Sequence, residues 1–202
     1  MTETPIKKPR VIYNTNNRLT NFLKEKEGFE PKPYLDPAGL PTIGYGTRYY
    51  EDGVEVTMDD EEIDEARATE LLTTYMESTA NELMNMPGFD KLNPNQKDAI
   101  VSFGYNFGQN FYKDKTNFGI ISGAVEDNDL KAIKDAFGLY VNVADDEAEK
   151  GYSESPGLVE RRKQEVIMFD EVYNITSPKP KSIYDNYVNT EETEEESLII
   201  GR

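Results

Sequence analysis

The stretch KEKEGFEPKPYLDPAGLPTIGYGT, residues 24–47, contains the strongest pattern in the sequence. Leu19 and Leu23 recur at helical spacing, and Glu27 is followed directly by Gly28. Glycine readily adopts the left-handed conformation that ends many helices. The pattern therefore predicts a helix that ends at Glu27.

The second half of the stretch does not continue this helix. Four prolines lie within the fourteen residues that follow Glu27, and so many helix breakers predict an irregular or extended chain. Thr42, Ile43 and Tyr45 then favour a strand whose members are separated by glycines. We therefore expect the chain to turn back beside the end of the helix.

Two carboxyl groups of this stretch are expected to lie in unlike surroundings. The partial negative charge of a helix C-terminus disfavours the Glu27 anion, and apolar neighbours such as Phe29 and Tyr45 act in the same direction by desolvation. Asp36 follows in a turn with proline and glycine, where exposure favours its ionised form. Two carboxyl groups in unlike states that face one cleft are what hydrolysis of a glycosidic bond requires.

The spacing of these residues resembles a known catalytic motif. Eight residues separate Glu27 from Asp36, five separate Asp36 from Thr42, and residues 43–46 read IGYG. This pattern is similar to that of the phage lysozyme (endolysin) family of muramidases, glycoside hydrolase family 24. An ordinary helix cap followed by a proline-rich loop explains each acidic residue separately but does not explain the joint spacing.

The resemblance implies an α+β, lysozyme-like fold, in which a long helix joins a small antiparallel sheet lobe to a mainly helical lobe, with the cleft between them. It also implies hydrolysis of the β-1,4 bond between N-acetylmuramic acid and N-acetylglucosamine in bacterial peptidoglycan. Glu27 is expected to protonate the leaving oxygen, and Asp36 to activate a water molecule that Thr42 holds. Because a nucleophilic carboxylate needs no residue to hold water, we expect inversion at the anomeric carbon. No cofactor and no metal ion are expected.

Two further segments resemble the family. By the first, LNPNQKDAIVSFGYNFG at residues 92–108, Tyr105 is expected to stack on a sugar ring and Asn106 to hydrogen-bond to sugar substituents. The alternatives are that Tyr105 only packs and that Asn106 caps the helix. By the second, GLVERRKQE at residues 157–165, Arg161 or Arg162 is expected to approach the catalytic acid. Such an arginine lowers the pKa of Glu27, whereas the helix end raises it, so the sequence leaves the direction of the net pKa shift open.

The chain also departs from the family pattern at two points. Thr47 stands where family members commonly carry histidine after the GYG sequence, and the chain contains no tryptophan, although members commonly carry one before the last helix. Because the three catalytic residues are present, we expect these departures to affect packing and substrate subsites more than activity.

Turn and capping patterns predict the elements around the motif. Asp52-Gly53 is a hairpin turn pattern and predicts a small antiparallel sheet together with the TIGYG strand. Asp59 with Glu62 predicts the capped start of the long helix. Asn93 with Gln96 predicts a second capped helix, which carries apolar residues at core spacing.

The composition excludes several classes of protein and site. The chain has 202 residues, a formal net charge of −17, no histidine and no cysteine. Such acidity disfavours binding to nucleic acid, and the absence of cysteine excludes disulfides, zinc thiolates and a thiol nucleophile. The sequence shows neither a secretory signal pattern nor an apolar run long enough to span a membrane, so we expect synthesis in the host cytoplasm.

The ends of the chain differ from the central part. Residues 1–18, with four basic residues against one acidic residue, read as an N-terminal arm, residues 19–176 as the lysozyme domain, and residues 177–202 as an acidic C-terminal tail. Both ends suit docking on phage tail or other virion proteins, and net acidity hinders a free enzyme near an anionic wall. We therefore favour a virion-associated enzyme over an endolysin that is released with a holin.

Two other functions fit parts of the sequence. A virion structural protein can keep the lysozyme fold without turnover, but it has no need for Glu27, Asp36 and Thr42 together. A lytic transglycosylase needs one acid and cyclises the sugar, so the additional aspartate and threonine argue against it.

Overall fold

A computed structural model describes residues 18–145, 147, 148 and 150–171. Its elements are two two-stranded sheets, two short 3-10 turns and six helices, in the order α1 (Arg18–Glu27), β1 (Glu30–Leu35), β2 (Pro41–Gly44), α2 (Glu65–Leu83), a 3-10 turn (Phe89–Lys91), α3 (Pro94–Phe107), a second 3-10 turn (Phe111–Lys113), α4 (Lys115–Glu126), α5 (Leu130–Phe137), β3 (Asn142–Ala144), β4 (Tyr152–Glu154) and α6 (Pro156–Asp170).

The predicted end of α1 at Glu27 is confirmed. Gly28 follows with φ +70, and its N–H donates to the Lys24 carbonyl. The chain then turns back as an antiparallel sheet of β1 and β2, in which Tyr34 lies opposite Thr42. Prolines are tolerated in β1 because a two-stranded sheet leaves an open edge on each strand.

The Asp52-Gly53 turn is present, but it does not supply the partner of the TIGYG strand. The Tyr50 N–H donates to the Val54 carbonyl, and one isolated bridge joins Tyr49 to Glu55. The sheet beside the motif is instead formed by the proline-rich residues of β1. The hairpin pattern therefore predicted the turn correctly, and the expected small antiparallel sheet is present beside the motif, with β1 as the partner of the TIGYG strand.

The predicted start of the long helix is wrong. Asp59 and Glu62 do not form a capping pair, because α2 begins later, with Asp64 as its N-cap. Asp60 accepts hydrogen bonds from the backbone N–H and the hydroxyl of Thr57 and closes a separate turn there. An acidic side chain that bonds its own turn competes with helix formation, and this delays the helix.

Helix α3 is the centre of the helical lobe and packs against both α2 and α6. It starts with the predicted capping box, in which the Asn93 side chain accepts from the Gln96 N–H and the Gln96 side chain from the Asn93 N–H. Phe103, near its middle, is fully buried. Its ring centre lies within 6.1 Å of five other rings, those of Phe107, Phe111, Phe118, Phe137 and Tyr140.

One buried apolar cluster connects the two lobes. Leu19 and Leu23 of α1 belong to it together with Tyr45 after β2, Leu72 of α2 and Phe103 of α3. A small sheet, a long α2 and a set of packed helices around α3 form the α+β arrangement that the resemblance implies. Within the described residues, no helix is both long enough and apolar enough to cross a membrane.

The first and last described residues lie next to each other. Arg18, at the start of α1, forms an ion pair with Glu171, directly after α6. Residues 1–17 of the predicted arm and the whole predicted tail, 177–202, lie outside the described residues. The predicted domain boundaries at 18 and 176 therefore remain predictions.

Candidate active site

Glu27 is placed by the end of α1 and bound by an arginine of α6. Arg161 Nη1 lies 2.8 Å from Glu27 Oε1. The Arg161 side chain is 7% exposed and that of Glu27 is 23% exposed, so the arginine lies in the interior and the carboxylate at its edge. Of the two arginines that the sequence offered for this position, the structure places Arg161 there.

A buried carboxylate positions Arg161. Glu165, one turn further along α6, has Oε1 3.4 Å from Arg161 Nε and accepts a hydrogen bond of 2.6 Å from the Ser102 hydroxyl. Arg161 Nη2 also donates to the Ser102 carbonyl at 3.4 Å. Burial raises the pKa of Glu165, although both neighbouring arginines oppose this shift.

Arg162 completes the group of buried charges. Its Nη2 donates to Glu165 Oε1 and to Asn106 Oδ1, both at 3.0 Å. Its guanidinium carbon lies 4.9 Å and 5.0 Å from the ring centres of Phe103 and Phe107, which is cation–π distance. Burial lowers the pKa of Arg162 to about 10, so it remains a cation at neutral pH. Two arginines and two glutamates thus contact one another beneath the cleft.

Asp36 is held by its own turn. Its Oδ1 accepts hydrogen bonds from the N–H groups of Ala38 and Leu40, each of 2.9 Å, and its N–H donates to the Leu40 carbonyl at 3.0 Å. These bonds fix the position of one carboxylate oxygen. Asp36 is partly exposed, so a carboxylate is presented at the surface of the sheet lobe.

Thr42 lies on β2 and is almost completely buried, at 3% exposed. Its hydroxyl donates to the Leu40 carbonyl at 3.0 Å. The hydroxyl hydrogen is therefore committed to the backbone, and the oxygen can only accept a further bond, such as one from a water molecule.

Tyr34 connects the two carboxylates electrostatically. It lies opposite Thr42 in the sheet, and burial raises the pKa of its phenol, with further contributions from the charges of Glu27 and Asp36. One phenol therefore lies within the field of both carboxylates. The three motif residues lie at the end of α1, directly after β1, and on β2.

A cavity of about 340 Å³ opens beside Glu27. It is lined by Glu27, Tyr45, Gly46, Thr47, Arg48, Tyr49, Tyr75, Tyr105 and Asn106. The structure thus brings the predicted substrate-binding residues Tyr105 and Asn106 to the same cavity as Glu27. Asp36 and Thr42 do not line it and lie in the sheet lobe beside it.

Tyr105 both packs and lines the cleft. Its hydroxyl donates to the Tyr45 carbonyl at 3.4 Å, and its ring meets the Tyr75 ring edge-on with centres 5.0 Å apart. Asn106 is not a helix cap, because α3 continues to Phe107 and has its C-cap at Gly108. Since its oxygen accepts from Arg162, the Asn106 amide nitrogen is the group that can donate to a ligand.

The glycines of TIGYG have separate structural roles. Gly44 has φ +67, and a Cβ there would lie 3.0 Å from the Ala68 Cβ, so it allows β2 to pack closely against α2. Gly46 has φ +85, and a Cβ there would lie 4.0 Å from Glu27 Oε2. The second glycine therefore brings the backbone of the cleft wall close to the carboxylate.

Sequence reasoning missed several residues of this site. It did not select Glu165, Ser102, Arg48 or Tyr75. Glu165 lies four residues after Arg161 and three after Arg162, a spacing that indicates contact on one helix but does not reveal burial. In the described part of the chain, no group of three acidic side chains has the geometry of a metal site, and histidine and cysteine are absent.

Comparisons with known proteins agree with this geometry. The model of the phage lysozyme family matches residues 24–165, which is more than half of the chain and extends from the start of the motif to Glu165. Among curated protein sequences no match was found.

Solved structures have the same fold. The endolysin from Escherichia coli O157:H7 phage FAHEc1 is 26% identical, with a TM-score of 0.65 over 80% of this chain and 97% of that one. A P22 lysozyme is 26% identical, with a TM-score of 0.59 over 78% and 99%. The muramidase domain of SpmX from Asticaccaulis excentricus, at 20% identity and a TM-score of 0.64 over 80% and 100%, agrees in fold alone. With the family match and the Glu27 site together, the chain belongs to the phage lysozyme family.

Proposed function

We propose that the protein hydrolyses the β-1,4 bond between N-acetylmuramic acid and N-acetylglucosamine, with Glu27 as the general acid. As a phage lysozyme, the chain is a peptidoglycan hydrolase of the muramidase type. The observation that carries the choice of acid is that Glu27 lines the cleft while its other contact is the buried Arg161.

The ion pair with Arg161 fits this role. When Glu27 gives its proton to the leaving oxygen, it becomes a carboxylate, and the guanidinium at 2.8 Å stabilises that charge. The stabilisation grows as the proton moves, so it acts more strongly in the transition state than on the bound substrate. Glu165 and Ser102 hold Arg161 in place for this purpose.

Asp36 and Thr42 are proposed to activate and hold the water molecule that attacks the anomeric carbon. Asp36, with one oxygen fixed by its turn, accepts the proton of the attacking water and stabilises positive charge at the anomeric carbon. Thr42 accepts a hydrogen bond from that water. Space for a water between carboxylate and sugar corresponds to carboxyl groups about 6.5–9.5 Å apart and to inversion.

Replacement of Glu27 tests the assignment. Glu27→Gln preserves shape and removes the acid, so hydrolysis of purified peptidoglycan should fall by about three orders of magnitude or more, since general acid catalysis and charge stabilisation are lost together. Glu25→Gln is the matched control, because Glu25 is an exposed glutamate on the same helix and should be dispensable. A Glu27→Gln enzyme that keeps a tenth of the wild-type rate contradicts the assignment.

Product analysis separates the competing reactions. Mass analysis of digested peptidoglycan should show reducing ends, whereas a lytic transglycosylase gives anhydro ends and a non-catalytic virion protein gives no fragments. Proton NMR during the first minutes should show the α-anomer first, as inversion of a β-bond requires. Early appearance of the β-anomer indicates retention and removes the water-holding role of Thr42.

Association with the virion is the second part of the proposal, with a free endolysin released by a holin as its alternative. Its support is the net charge of −17, which hinders diffusion onto an anionic wall but matters less for an enzyme delivered at high local concentration. Residues 1–17 join the domain at the start of α1, which is about 14 Å from Glu27 along a helix of this length. Partners bound there would leave the cleft accessible.

A further inference from the structure

Arg48 lies in the wall of the Glu27 cleft. It follows Thr47, whose backbone pairs with Ile43, and its own carbonyl accepts from the Val56 N–H at 2.9 Å. The backbone at this position is therefore fixed from both sides. The side chain is exposed and lines the same cavity as Glu27 and Asn106.

Arg48 differs from the other arginines in its lack of an acidic partner. Of the five arginines in the described part of the chain, four lie within ion-pair distance of a carboxylate: Arg18, Arg67, Arg161 and Arg162. No such contact exists for Arg48 among the described residues. In a chain with 39 acidic residues, an arginine without a carboxylate partner in the cleft leaves one cation for a ligand.

An aromatic ring lies beside this cation, and a second exposed ring lines the same cavity. The Arg48 guanidinium carbon lies 5.7 Å from the Tyr49 ring centre, a distance at which the ring helps to orient the charge. Tyr49 is 51% and Tyr75 is 43% exposed, and both line the cavity. Exposed aromatic rings suit the apolar faces of sugars, so the cavity offers stacking surfaces together with one positive charge.

We propose that Arg48 binds a carboxylate of the peptide stem that the muramic acid residue carries. The inference rests on the proposed function, because the ligand must be a peptidoglycan strand whose sugars occupy the cleft. A guanidinium is suited to paired hydrogen bonds with a carboxylate. The net negative charge of the protein is repelled by an anionic wall. The positive charge of Arg48 attracts anionic groups of the wall locally, in the cavity where Glu27 lies. Arg48 is thus a specificity-determining residue that selects stem-bearing glycan.

The test compares substrates that differ only in stem charge. Peptidoglycan freed of attached polymers is used as isolated and after amidation of its stem carboxylates. Arg48→Gln should raise KM on the isolated form by about tenfold, because a change of this size corresponds to the free energy of one charge-assisted hydrogen bond. Arg48→Lys should recover part of the lost affinity. On amidated peptidoglycan, the loss should shrink below about twofold. Lys163→Gln is the control, because Lys163 is exposed and does not line the cleft.

Binding of soluble stem-bearing fragments to the Glu27→Gln protein, with and without Arg48→Gln, measures the same contact without turnover. Equal losses on isolated and amidated peptidoglycan, or no loss on either, overturn the inference. Dependence on Arg48 that appears only with wall that retains phosphodiester polymers assigns the anion to phosphate and also overturns it. Wild-type hydrolysis of amidated peptidoglycan reports on the muramidase assignment alone, so failure of that assignment is seen separately.

Discussion

Glu27 is the outer end of a row of charges that extends from the cleft into the core of the helical lobe. The row continues through Arg161 and Glu165 to Arg162, which lies on the rings of Phe103 and Phe107. Loss of one partner from such a group typically costs ~3–5 kcal/mol, because it leaves a buried charge unbalanced. The aromatic core thus supports the position of the Glu27 carboxylate, the proposed general acid, through two arginines.

Asp98 provides a prediction about pH at the residue scale. It is 6% exposed, and its Oδ1 has no hydrogen-bond partner among the described residues. Burial raises the pKa of Asp98 to about 7, although the positive charge of Arg18 acts to lower it. A carboxyl group with a raised folded-state pKa stabilises the fold below its unfolded pKa and loses this contribution as pH rises through 7. Asp98→Asn cannot ionise and should therefore stabilise the protein most above neutrality.

We expect thermal unfolding of Asp98→Asn to show a gain of about 2 kcal/mol near pH 8 that largely disappears near pH 4. Asp90→Asn is the control, because Asp90 is an exposed aspartate on the neighbouring 3-10 turn. A gain that is equal at both pH values would mean that Asp98 does not titrate in this range.

At the scale of elements, the contact between β2 and α2 holds the sheet lobe on the long helix. Gly44→Ala adds a Cβ 3.0 Å from the Ala68 Cβ and 3.3 Å from Ile63 Cδ1 at φ +67, so strain and overpacking act together. We expect a loss of about 2–4 kcal/mol in chemical denaturation. Gly53→Ala at φ +84, with no atom within 4 Å of the added Cβ, should lose only about 1 kcal/mol. Equal losses would show that β2 does not depend on this close approach.

Elements with a local chemical pattern could be predicted from the sequence. The end of α1 at Glu27 and the capping box of α3 depend on neighbouring residues, and both are confirmed. The start of α2 could not be predicted in this way. The sequence offers several acidic residues as caps before α2, and Asp60 is used by its own turn with Thr57.

The pairing of β1 with β2 and the contact of Arg161 with Glu27 depend on the tertiary fold. Nothing in the proline-rich β1 predicts a strand, and 134 positions separate Arg161 from Glu27 in the chain. Resemblance to the family limited the arginine to two candidates. Only packing of α6 against α3 decides that Arg161 reaches Glu27 while Arg162 turns towards Phe103.

At the scale of the whole molecule, deletion of residues 177–202 tests the proposed virion association. If the acidic tail only docks on other virion proteins, the truncated enzyme should hydrolyse purified wall within about twofold of the full chain, because the tail would contribute no catalytic group. Its incorporation into phage particles, measured by immunoblot of purified virions, should be lost. Unchanged incorporation, or absence of the intact protein from particles, would favour a free endolysin.

The ion pair of Arg18 with Glu171 brings the first and last described residues of the domain together. Domains with adjacent ends tolerate insertion into a loop of another protein, and they can be circularly permuted when a short linker joins the old ends. The exposed Asp52-Gly53 turn is a suitable place for new ends, since no atom lies within 4 Å of a Cβ added at Gly53. We therefore expect a chain permuted at this turn to keep the arrangement of its elements around Glu27.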